Sequence, residues 1–427
     1  MTSAAAANQG ELFPELQPPA ELPDPEGLHR DLRRFDSLGT KTFTTHTLAG
    51  GRRVPVYVNE FWTAKQRAAN SLHEVSYRAC FKPQLPRFFI ERLTEPGDAV
   101  YDPFLGRGTT MIEAALLSRR PLGCDINPLS ERLVWPRLVP PRLEDVAQRL
   151  GEIDLSTTVE PRKDLLVFYH PETLQEINGL RTYLAGRRER GETDDLDRWI
   201  EMVAINRLTG HSRGFFSVYT LPPNQAVSSQ SQQRINERRD QKPERRLVPD
   251  LILRKTKALL AGVDDDVRAA LQSVQGQARV FTEDAASTGQ IKEHSVRLVV
   301  TSPPFLDVVQ YREDNWLRCW FCGIEPDDVE ITMHRRVPDW QDAMTRVFRE
   351  LARVLQPGGH VAFEVGEVRG GSIKLEEVVW PCGLAAGLEP VLLLINDQKF
   401  TKTANCWGID NNRKGTNTNR VVVFRAP

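Results

Sequence analysis

The sequence lacks several features that would assign it to a specialised class of protein. Across 427 residues, no apolar run approaches the roughly 18 residues that a membrane-spanning helix needs. Only six cysteines are present, so reduced thiols and a cytoplasmic location are expected rather than a disulfide scaffold. The eight histidines are dispersed and no His-Glu-x-x-His pattern occurs, so no metal site is expected.

An excess of charge of one sign is also missing. Lys and Arg total 56 against 57 Asp and Glu, and this balance excludes a uniformly basic coat for holding a polyanion. The distribution along the chain is nevertheless uneven. Residues 1–40 carry a net charge of −4 and five prolines, which is typical of a disordered tail. Residues 205–257 carry a net charge of +7.

From residue 98 onward, short apolar runs alternate with amphipathic segments, and this pattern predicts an α/β fold. The alternation favours one doubly wound, mostly parallel sheet of seven strands. The last two strands are joined without room for a helix, so that pair is expected to be antiparallel. A hairpin is predicted at 42–58. The predicted strands are 98–104, 120–126, 278–284, 296–304, 360–368, 390–397 and 420–424, and the predicted helices are 109–118, 340–355 and 374–387.

A glycine-rich loop, Asp102-Pro-Phe-Leu-Gly-Arg-Gly-Thr-Thr110, connects the first of these strands to a helix. Its two glycines allow a tight turn and a close approach of the backbone to a ligand. The helix that follows, capped by Thr109 or Thr110, offers unpaired N–H groups to a carboxylate or phosphate. No Lys follows the loop, and Met111 replaces the third glycine of a dinucleotide fingerprint. A plain strand–helix turn is the alternative.

Two acids follow the next two strands. Asp125 can accept hydrogen bonds from both hydroxyls of a ribose, and a helix cap is its alternative role. Asp284 can accept from an adenine amino group, and a turn acid is its alternative role. With the glycine loop, these acids predict a nucleotide-like site at one edge of the sheet.

The tetrapeptide Ser302-Pro303-Pro304-Phe305 follows a strand of strongly apolar sequence. Proline fixes φ and has no N–H, so the carbonyls here are held rigidly at the carboxyl edge of the sheet. The Ser302 oxygen and the Pro303 carbonyl can accept the two N–H bonds of an exocyclic amine, while Phe305 stacks on the base that carries it. A proline-rich end of a strand is the alternative.

Together, the segments DPFLGRGTT, GCDINP and VVTSPPF resemble the S-adenosyl-L-methionine (AdoMet)-dependent DNA amino-methyltransferases, which act on N4 of cytosine or N6 of adenine. The resemblance covers residues 77–128 and 278–427. It implies a Rossmann-like class I methyltransferase fold, AdoMet as cofactor, and the motif order of the alpha group. Ser-Pro-Pro-aromatic leans toward N4-cytosine. Arg107 departs from a position that is usually small, and Phe305 replaces the more usual Tyr.

The resemblance also implies roles for individual residues. The catalytic residues would be Ser302, Pro303, Pro304 and Phe305. Tyr77 lies in a segment that, in the family, helps hold the methionine end of the cofactor. The implied cofactor contacts are Tyr77, Asp102, Phe104, Gly106, Gly108, Thr109, Thr110, Asp125 and Asp284.

The family's domain order assigns the rest of the chain. Residues 1–40 are expected to be a disordered acidic, Pro-rich tail, and 41–129 the hairpin and AdoMet-binding part. Residues 130–277 would be an inserted target-recognition region, and 278–427 the catalytic part. Arg and Lys in the basic stretch suit phosphates, while Asn, Gln and Arg suit base edges. A solvated loop with helical charges is the alternative for the insertion, as is a surface loop for 401–419. The candidate DNA contacts are Arg213, Gln225, Arg234, Arg238, Arg239, Trp407 and Lys414.

The expected function is a site-specific DNA methyltransferase of the restriction-modification type that flips a cytosine from the duplex and methylates its N4. The alternatives are an N6-adenine DNA methyltransferase, an RNA methyltransferase acting on guanine N2 or adenine N6, and a non-catalytic nucleic-acid-binding relative. Double-stranded DNA is the expected partner, with no membrane association. A bacterial, nucleoid-associated cytoplasmic protein is expected. A companion restriction endonuclease and the oligomeric state stay open.

Overall fold

The computed structural model describes residues 25–63, 69–77, 80–156, 162–220, 227–304, 306, 311–329, 334–368, 373–397 and 418–427. Four candidate site residues lie outside these ranges: Gln225, Phe305, Trp407 and Lys414. The described strands are β1 (Phe43–Ala49), β2 (Arg52–Asn59), β3 (Ala99–Asp102), β4 (Arg120–Cys124), β5 (Arg279–Phe281), β6 (Val296–Thr301), β7 (Leu355–Val365), β8 (Glu367–Val368), β9 (Ile373–Lys374), β10 (Glu389–Asp397) and β11 (Thr418–Arg425).

The described helices fall into three groups along the chain. The helices are α1 (Pro25–Arg34), α2 (Gln84–Leu93) and α3 (Thr109–Leu116) before the insertion; α4 (Leu129–Leu138), α5 (Leu143–Glu152), α6 (Pro171–Glu189), α7 (Asp195–Ile205), α8 (Ser229–Arg239), α9 (Val248–Leu259) and α10 (Asp265–Gln275) within it; and α11 (Tyr311–Cys322), α12 (Val337–Val354) and α13 (Leu375–Ala385) after it.

The main sheet has nine strands in the order β1-β2-β10-β11-β7-β6-β3-β4-β5. The seven predicted strands are adjacent, and β11 runs antiparallel to both β10 and β7, so the predicted mostly parallel sheet with an antiparallel last strand is confirmed. The hairpin predicted at 42–58 is also confirmed as β1 and β2, and β2 extends the sheet by pairing parallel to β10. This is the strand arrangement of a Rossmann-like class I fold. The chain order reverses between β3 and β6, which makes their carboxyl ends the expected ligand crevice.

Both faces of the sheet are buried, which explains the continuous apolar runs of its central strands. Alternate side chains of β6 point to opposite faces: Val299 joins a core formed with α12 and α13, while Val300 joins a core formed with α2. β5 is shorter than the predicted strand 278–284. Beyond Val365, the predicted strand 360–368 leaves the main sheet, because β8 pairs with β9 in a separate ribbon.

The prediction of a disordered tail over residues 1–40 is wrong for residues 25–34. Residues 25–34 form the helix α1, in which Leu28 and Leu32 are four positions apart and both buried in the core against α2. The acidic and Pro-rich composition concealed this one apolar face. Residues 1–24 lie outside the described residues.

The insertion between β4 and β5 is helical. Helices α4 to α10 enclose a core that contains Trp199 and Phe168. The same core includes Met111 of α3 and Leu317 of α11, so the insertion packs against the helices that follow the glycine loop and the tetrapeptide.

Candidate functional site

The glycine loop is held in a backbone conformation that requires glycine. Gly106 and Gly108 have φ values of +51° and +76°. A Cβ at Gly108 would lie 2.3 Å from Val134 Cγ2, so α4 packs directly on the loop. Gly108 itself is the N-cap of α3, and no side chain caps this helix. The predicted cap by Thr109 or Thr110 is therefore wrong.

The two threonines instead attach the loop to its surroundings. The Thr110 hydroxyl donates to the Val300 carbonyl of β6 at 3.0 Å. Thr109 Oγ1 accepts from Arg107 Nε at 3.2 Å. Both threonines are buried, because the residues after Gly108 pack between the sheet and α4. Their contacts fix the start of α3 relative to the strand that leads to the tetrapeptide.

Asp125 ties the end of β4 to the glycine loop. Its carboxyl accepts from the Gly106 N–H at 2.7 Å and from the Asn127 N–H at 2.9 Å. Burial raises the pKa of this carboxyl, while the two backbone N–H groups oppose the shift. Asp125 therefore shapes the loop, and its side chain is half-buried at the sheet edge where a ribose was expected.

Tyr77 lies against the same loop. Its Cε1 atom would be 3.6 Å from a Cβ added at Gly106, and Asn127 Nδ2 donates to its hydroxyl at 3.4 Å. The structure thus brings Tyr77, Gly106 and Asp125 together, as the cofactor-site prediction requires.

Asp102 connects the ends of β3 and β6. The Thr301 hydroxyl donates to Asp102 Oδ1 at 2.6 Å, and the Phe104 N–H donates to the same oxygen at 3.1 Å. The side chain is 1% exposed, and burial raises the pKa of its carboxyl to about 7 despite these hydrogen bonds. Asp102 consequently joins the glycine loop to the residue that precedes Ser302.

The described part of the tetrapeptide is supported from β7 and α12. The carboxyl of Glu364 lies beside the Ser302 hydroxyl, which lowers its pKa, and it accepts a hydrogen bond from Asn419 Nδ2 at 3.0 Å. Burial raises the pKa of Glu364. The Pro304 carbonyl accepts from Trp340 Nε1 at 2.9 Å, so it is fixed by a side chain of the protein.

Glu364 was missed by the sequence reasoning. The signal was present, because an acid interrupts an otherwise apolar strand, His-Val-Ala-Phe-Glu-Val. A buried charged residue needs polar partners, and here they are Asn419 and the candidate catalytic serine.

Asp284 is more peripheral. It is exposed after β5, and its carboxyl accepts from the Ala286 N–H at 2.9 Å, which is the turn role named as the alternative. Its position beyond the strand next to β4 still leaves it on the same edge of the sheet.

Within the basic stretch, α8 presents three exposed arginines. Arg234, Arg238 and Arg239 are exposed, and the Arg239 guanidinium lies 3.8 Å from the centre of the Tyr219 ring. The Arg213 side chain is 82% exposed.

Other cations of the stretch are already used by the protein. Arg207 lies 4.1 Å from the centre of the Phe215 ring, Arg245 pairs with Glu172 at 2.8 Å, and Lys255 pairs with Glu74 at 3.5 Å. Burial, followed by the nearby Arg207, lowers the pKa of Lys255 to about 8. The net charge of the segment therefore overstates the charge available to a ligand.

α8 is anchored by amides rather than by an apolar face. Gln232 Nε2 donates to the Tyr219 carbonyl at 3.0 Å, and Asn236 Nδ2 donates to the Val167 carbonyl at 2.7 Å. Gln232 and Asn236 are buried, and they hold the helix so that its arginines face outward.

A cavity of about 500 Å³ separates the start of α8 from the start of α11. It joins the helix with the exposed arginines to the helix that follows the tetrapeptide. Its lining includes Arg162, Asp164, Ser228, Ser229, Arg312 and Trp316.

The described residues contain neither a candidate metal site nor a candidate membrane-spanning helix. No group of three or more His, Cys, Asp or Glu side chains in those ranges is arranged to hold a metal ion. No helix in the same ranges is long and apolar enough to cross a membrane.

Comparison with known proteins matches residues 47–133 to the DNA methylase family of N6- and N4-type enzymes. The chain is 37% identical over 54 residues to the Type II methyltransferase M.MjaII of Methanocaldococcus jannaschii, covering 13% of this chain and 10% of that protein. It is 28% identical over 97 residues to the Type II methyltransferase M.MvaI of Kocuria varians, covering 22% of this chain and 20% of that protein. Both matches thus span a small part of the relatives.

Among solved structures, the rRNA methyltransferase aviRa of Streptomyces viridochromogenes aligns with 86% of this chain and 94% of its own, at 13% identity and a TM-score of 0.31. The fold follows from the strand order of the main sheet. The family match covers the glycine loop and Asp125 but ends before the tetrapeptide. Over residues 47–133, the chain is therefore similar to the DNA amino-methyltransferase family.

Proposed function

We propose that the protein is an AdoMet-dependent DNA methyltransferase that modifies N4 of cytosine in duplex DNA. One observation carries the proposal: the glycine loop follows β3, the Ser-Pro-Pro segment follows the neighbouring β6, and Asp102 and Thr301 join the two strand ends at 2.6 Å. A methyl donor in the first and an amine in the second would meet at the topological switch point. The family match at residues 47–133 supports the donor half.

The residues present fit AdoMet as the cofactor. The loop backbone at Gly106 is partly exposed, and a Cβ there would be in ordinary van der Waals contact with the Tyr77 ring at 3.6 Å. Tyr77, Gly106, Asp125 and the start of α3 would hold the cofactor, with Asp284 at the outer edge. AdoMet supplies an electrophilic methyl group bound to a sulfonium sulfur.

Ser302 and Pro303 would orient the amine that accepts the methyl group. Because the Ser302 hydroxyl lies beside Glu364, ionised Glu364 would accept a hydrogen bond from that hydroxyl and leave the lone pairs of the Ser302 oxygen free. That oxygen and the Pro303 carbonyl would accept the two N–H bonds of the amine and direct its lone pair toward the donor. Phe305 is proposed to stack on the base. Glu364 is thus a positioning residue.

The substrate proposed is duplex DNA, with the target base flipped out of the stack, since its amine is unreachable within the helix. The exposed arginines of α8 and Arg213 support this, because cationic side chains on an anchored helix suit a phosphate backbone. Residues 130–277 would then serve as the target-recognition region. Gln225, Trp407 and Lys414 stay candidate contacts. A restriction-modification role follows if a companion endonuclease exists.

The test is methylation of duplex DNA by the purified chain with AdoMet, followed by mass spectrometry of the nucleosides. The proposal expects N4-methylcytosine. Detection of N6-methyladenine would show that adenine, not cytosine, is the target base. Methylation of tRNA in preference to duplex DNA would show that the substrate is RNA. Binding of DNA without any methyl transfer would favour the non-catalytic alternative.

A further inference from the structure

Arginine side chains make several of the hydrogen bonds to the described residues 71–77 and 80–81, the segment that carries Tyr77. A short 3-10 turn at Ser71–His73 is the only regular element within the described part of this segment. One side-chain anchor comes from Glu113 of α3, which bonds to His73 Nε2 at 2.6 Å. The backbone carbonyls of the segment accept hydrogen bonds from guanidinium groups of three other elements.

Arg107, within the glycine loop, makes the most of these contacts. Its Nη1 donates to the Val75 carbonyl at 3.0 Å and to the His73 carbonyl at 3.4 Å, and its Nη2 donates to the Phe81 carbonyl at 3.4 Å. The side chain is 5% exposed. Arg107, which replaces the family's usual small residue, therefore bonds to carbonyls on both sides of Tyr77.

Arg137 of α4 bonds both to this segment and to the backbone of Arg107. Its Nη1 donates to the Leu72 carbonyl at 3.1 Å, and its Nη2 donates to the Arg107 carbonyl. Burial, followed by the charge of Arg107, lowers the pKa of Arg137 to about 9. In the described part of the chain, neither Arg107 nor Arg137 forms an ion pair with a carboxylate.

Arg318 reaches the segment from α11, the helix that follows the tetrapeptide. Its Nη2 donates to the Ser76 carbonyl at 2.9 Å, and its guanidinium lies 5.6 Å from the centre of the Tyr77 ring. The residues on either side of Ser76 are therefore tied to the glycine loop, the insertion and the catalytic half at once.

We propose that Arg107, Arg137 and Arg318 form a clamp that positions Tyr77 on the glycine loop and couples cofactor binding to the placement of α11. Arginine is required because its rigid fork can bond to several carbonyls at once, whereas lysine is a point charge on a flexible stem. Burying two guanidiniums without a counter-charge is costly, and the clamp offsets that cost only through these carbonyl contacts. The role in cofactor binding rests on the proposed function.

The first experiment uses Arg107→Lys, which keeps the charge and removes the fork. The probe is S-adenosylhomocysteine, measured by calorimetry. We expect its affinity to fall about tenfold or more, since at least one hydrogen bond to a charged group, worth about 1.5–3 kcal/mol, is lost. The KM for AdoMet should rise accordingly, while kcat at saturating AdoMet changes little. An unchanged affinity would overturn the clamp.

The second experiment measures coupling. Wild-type protein should bind duplex DNA more tightly when S-adenosylhomocysteine is present, and Arg318→Lys should lose that enhancement. The matched control is Arg181→Lys, because Arg181 also donates to a carbonyl of α11, that of Trp320 at 2.9 Å, away from Tyr77. Equal loss of coupling in both variants would show general loosening of α11 and contradict the clamp.

A readout without any ligand separates this proposal from the proposed function. Hydrogen exchange of the amides in residues 71–77 should accelerate in Arg107→Lys but not in Arg181→Lys. If that pattern appears and wild-type protein binds no S-adenosylhomocysteine, the clamp holds the segment and the proposed function fails. If exchange is unchanged while wild-type protein binds the probe, the clamp fails and the proposed function stands.

Discussion

The sheet edge and the helical insertion stabilise their buried acids by different means. At the edge, Asp102 accepts from the Thr301 hydroxyl at 2.6 Å, and burial raises the pKa of its carboxyl. In the insertion, the buried Asp197 lies between Arg149 at 2.6 Å and Arg187 at 2.8 Å. On the surface of the insertion, α8 exposes Arg234, Arg238 and Arg239.

This difference separates chemistry from recognition. The edge fixes hydroxyl, carbonyl and carboxyl groups in a water-poor site, where orientation decides the rate and salt has little access. The arginines of α8 are long and solvated, so they can adapt to a phosphate backbone. DNA affinity that depends on them should vary strongly with salt concentration. The account therefore predicts that variants at the edge change turnover and that variants on α8 change affinity.

The largest expected effect is that of Ser302→Ala. Loss of the oxygen that orients the amine should lower turnover by about 10²–10³-fold, the cost of removing one preorganised polar group from an active site. Binding of S-adenosylhomocysteine should persist, because the glycine loop is untouched. Equal losses of turnover and cofactor binding would indicate misfolding and break the comparison.

The next effect concerns stability and uses Asp102→Asn. The folded-state pKa of Asp102 is raised from 3.8 to about 7, so the native state holds a proton that the unfolded chain has lost between those pH values. This contribution to stability is fully present below pH 3.8 and is lost as pH rises to about 7. The unfolding free energy of the variant relative to wild type should therefore increase over that range by roughly 3–4 kcal/mol. Denaturant unfolding across the range would reveal a flat difference if the prediction is wrong.

A smaller effect is expected for Glu364→Gln. The amide is uncharged and has only one acceptor oxygen to share between Asn419 and Ser302, so turnover should fall about tenfold. Because burial raises the pKa of Glu364, wild-type turnover should rise with pH as this group ionises, and the variant should lack that rise. Glu350→Gln is the control, a buried acid on α12 that bonds to Thr288 and Arg353. A shared change in both pH profiles would exclude the assigned role.

The smallest effect is expected for the double variant Arg234→Ala/Arg238→Ala. Turnover at saturating DNA should be nearly unchanged, while DNA affinity weakens at moderate salt. The slope of log affinity against log salt should shrink by about 2 if both side chains contact phosphates. The control, Arg190→Ala/Arg198→Ala, removes exposed arginines that pair with Glu192 and Asp195. The same slope for both double variants would exclude α8 as a phosphate-binding surface.

The parts predicted from sequence are those with local signals. Buried strands are continuous apolar runs, the loop needs glycine at 106 and 108, and Ser-Pro-Pro follows a strand whose end the sheet order places beside β3. The antiparallel direction of β11 was predicted because no helix was predicted between the last two strands. These features depend on neighbours in the chain and on general rules of sheet topology.

The parts that were missed depend on contacts distant in sequence. Glu364 lies 62 positions from Ser302, and Arg318 lies 242 positions from Ser76. The cap of α3 was misassigned because Thr110 finds an acceptor on β6 that no local pattern reveals. The helices of the insertion were not predicted individually, since α8 is held by buried amides rather than by an apolar stripe.

The central claim is tested most directly by isotopic methyl transfer. Duplex DNA of mixed sequence would be incubated with AdoMet carrying a labelled methyl group, then digested and analysed as nucleosides, with wild-type protein and Ser302→Ala in parallel. The account predicts labelled N4-methylcytosine with wild type and a loss of about 10²–10³-fold with the variant. The absence of any labelled base with folded wild-type protein that binds S-adenosylhomocysteine and DNA would contradict it.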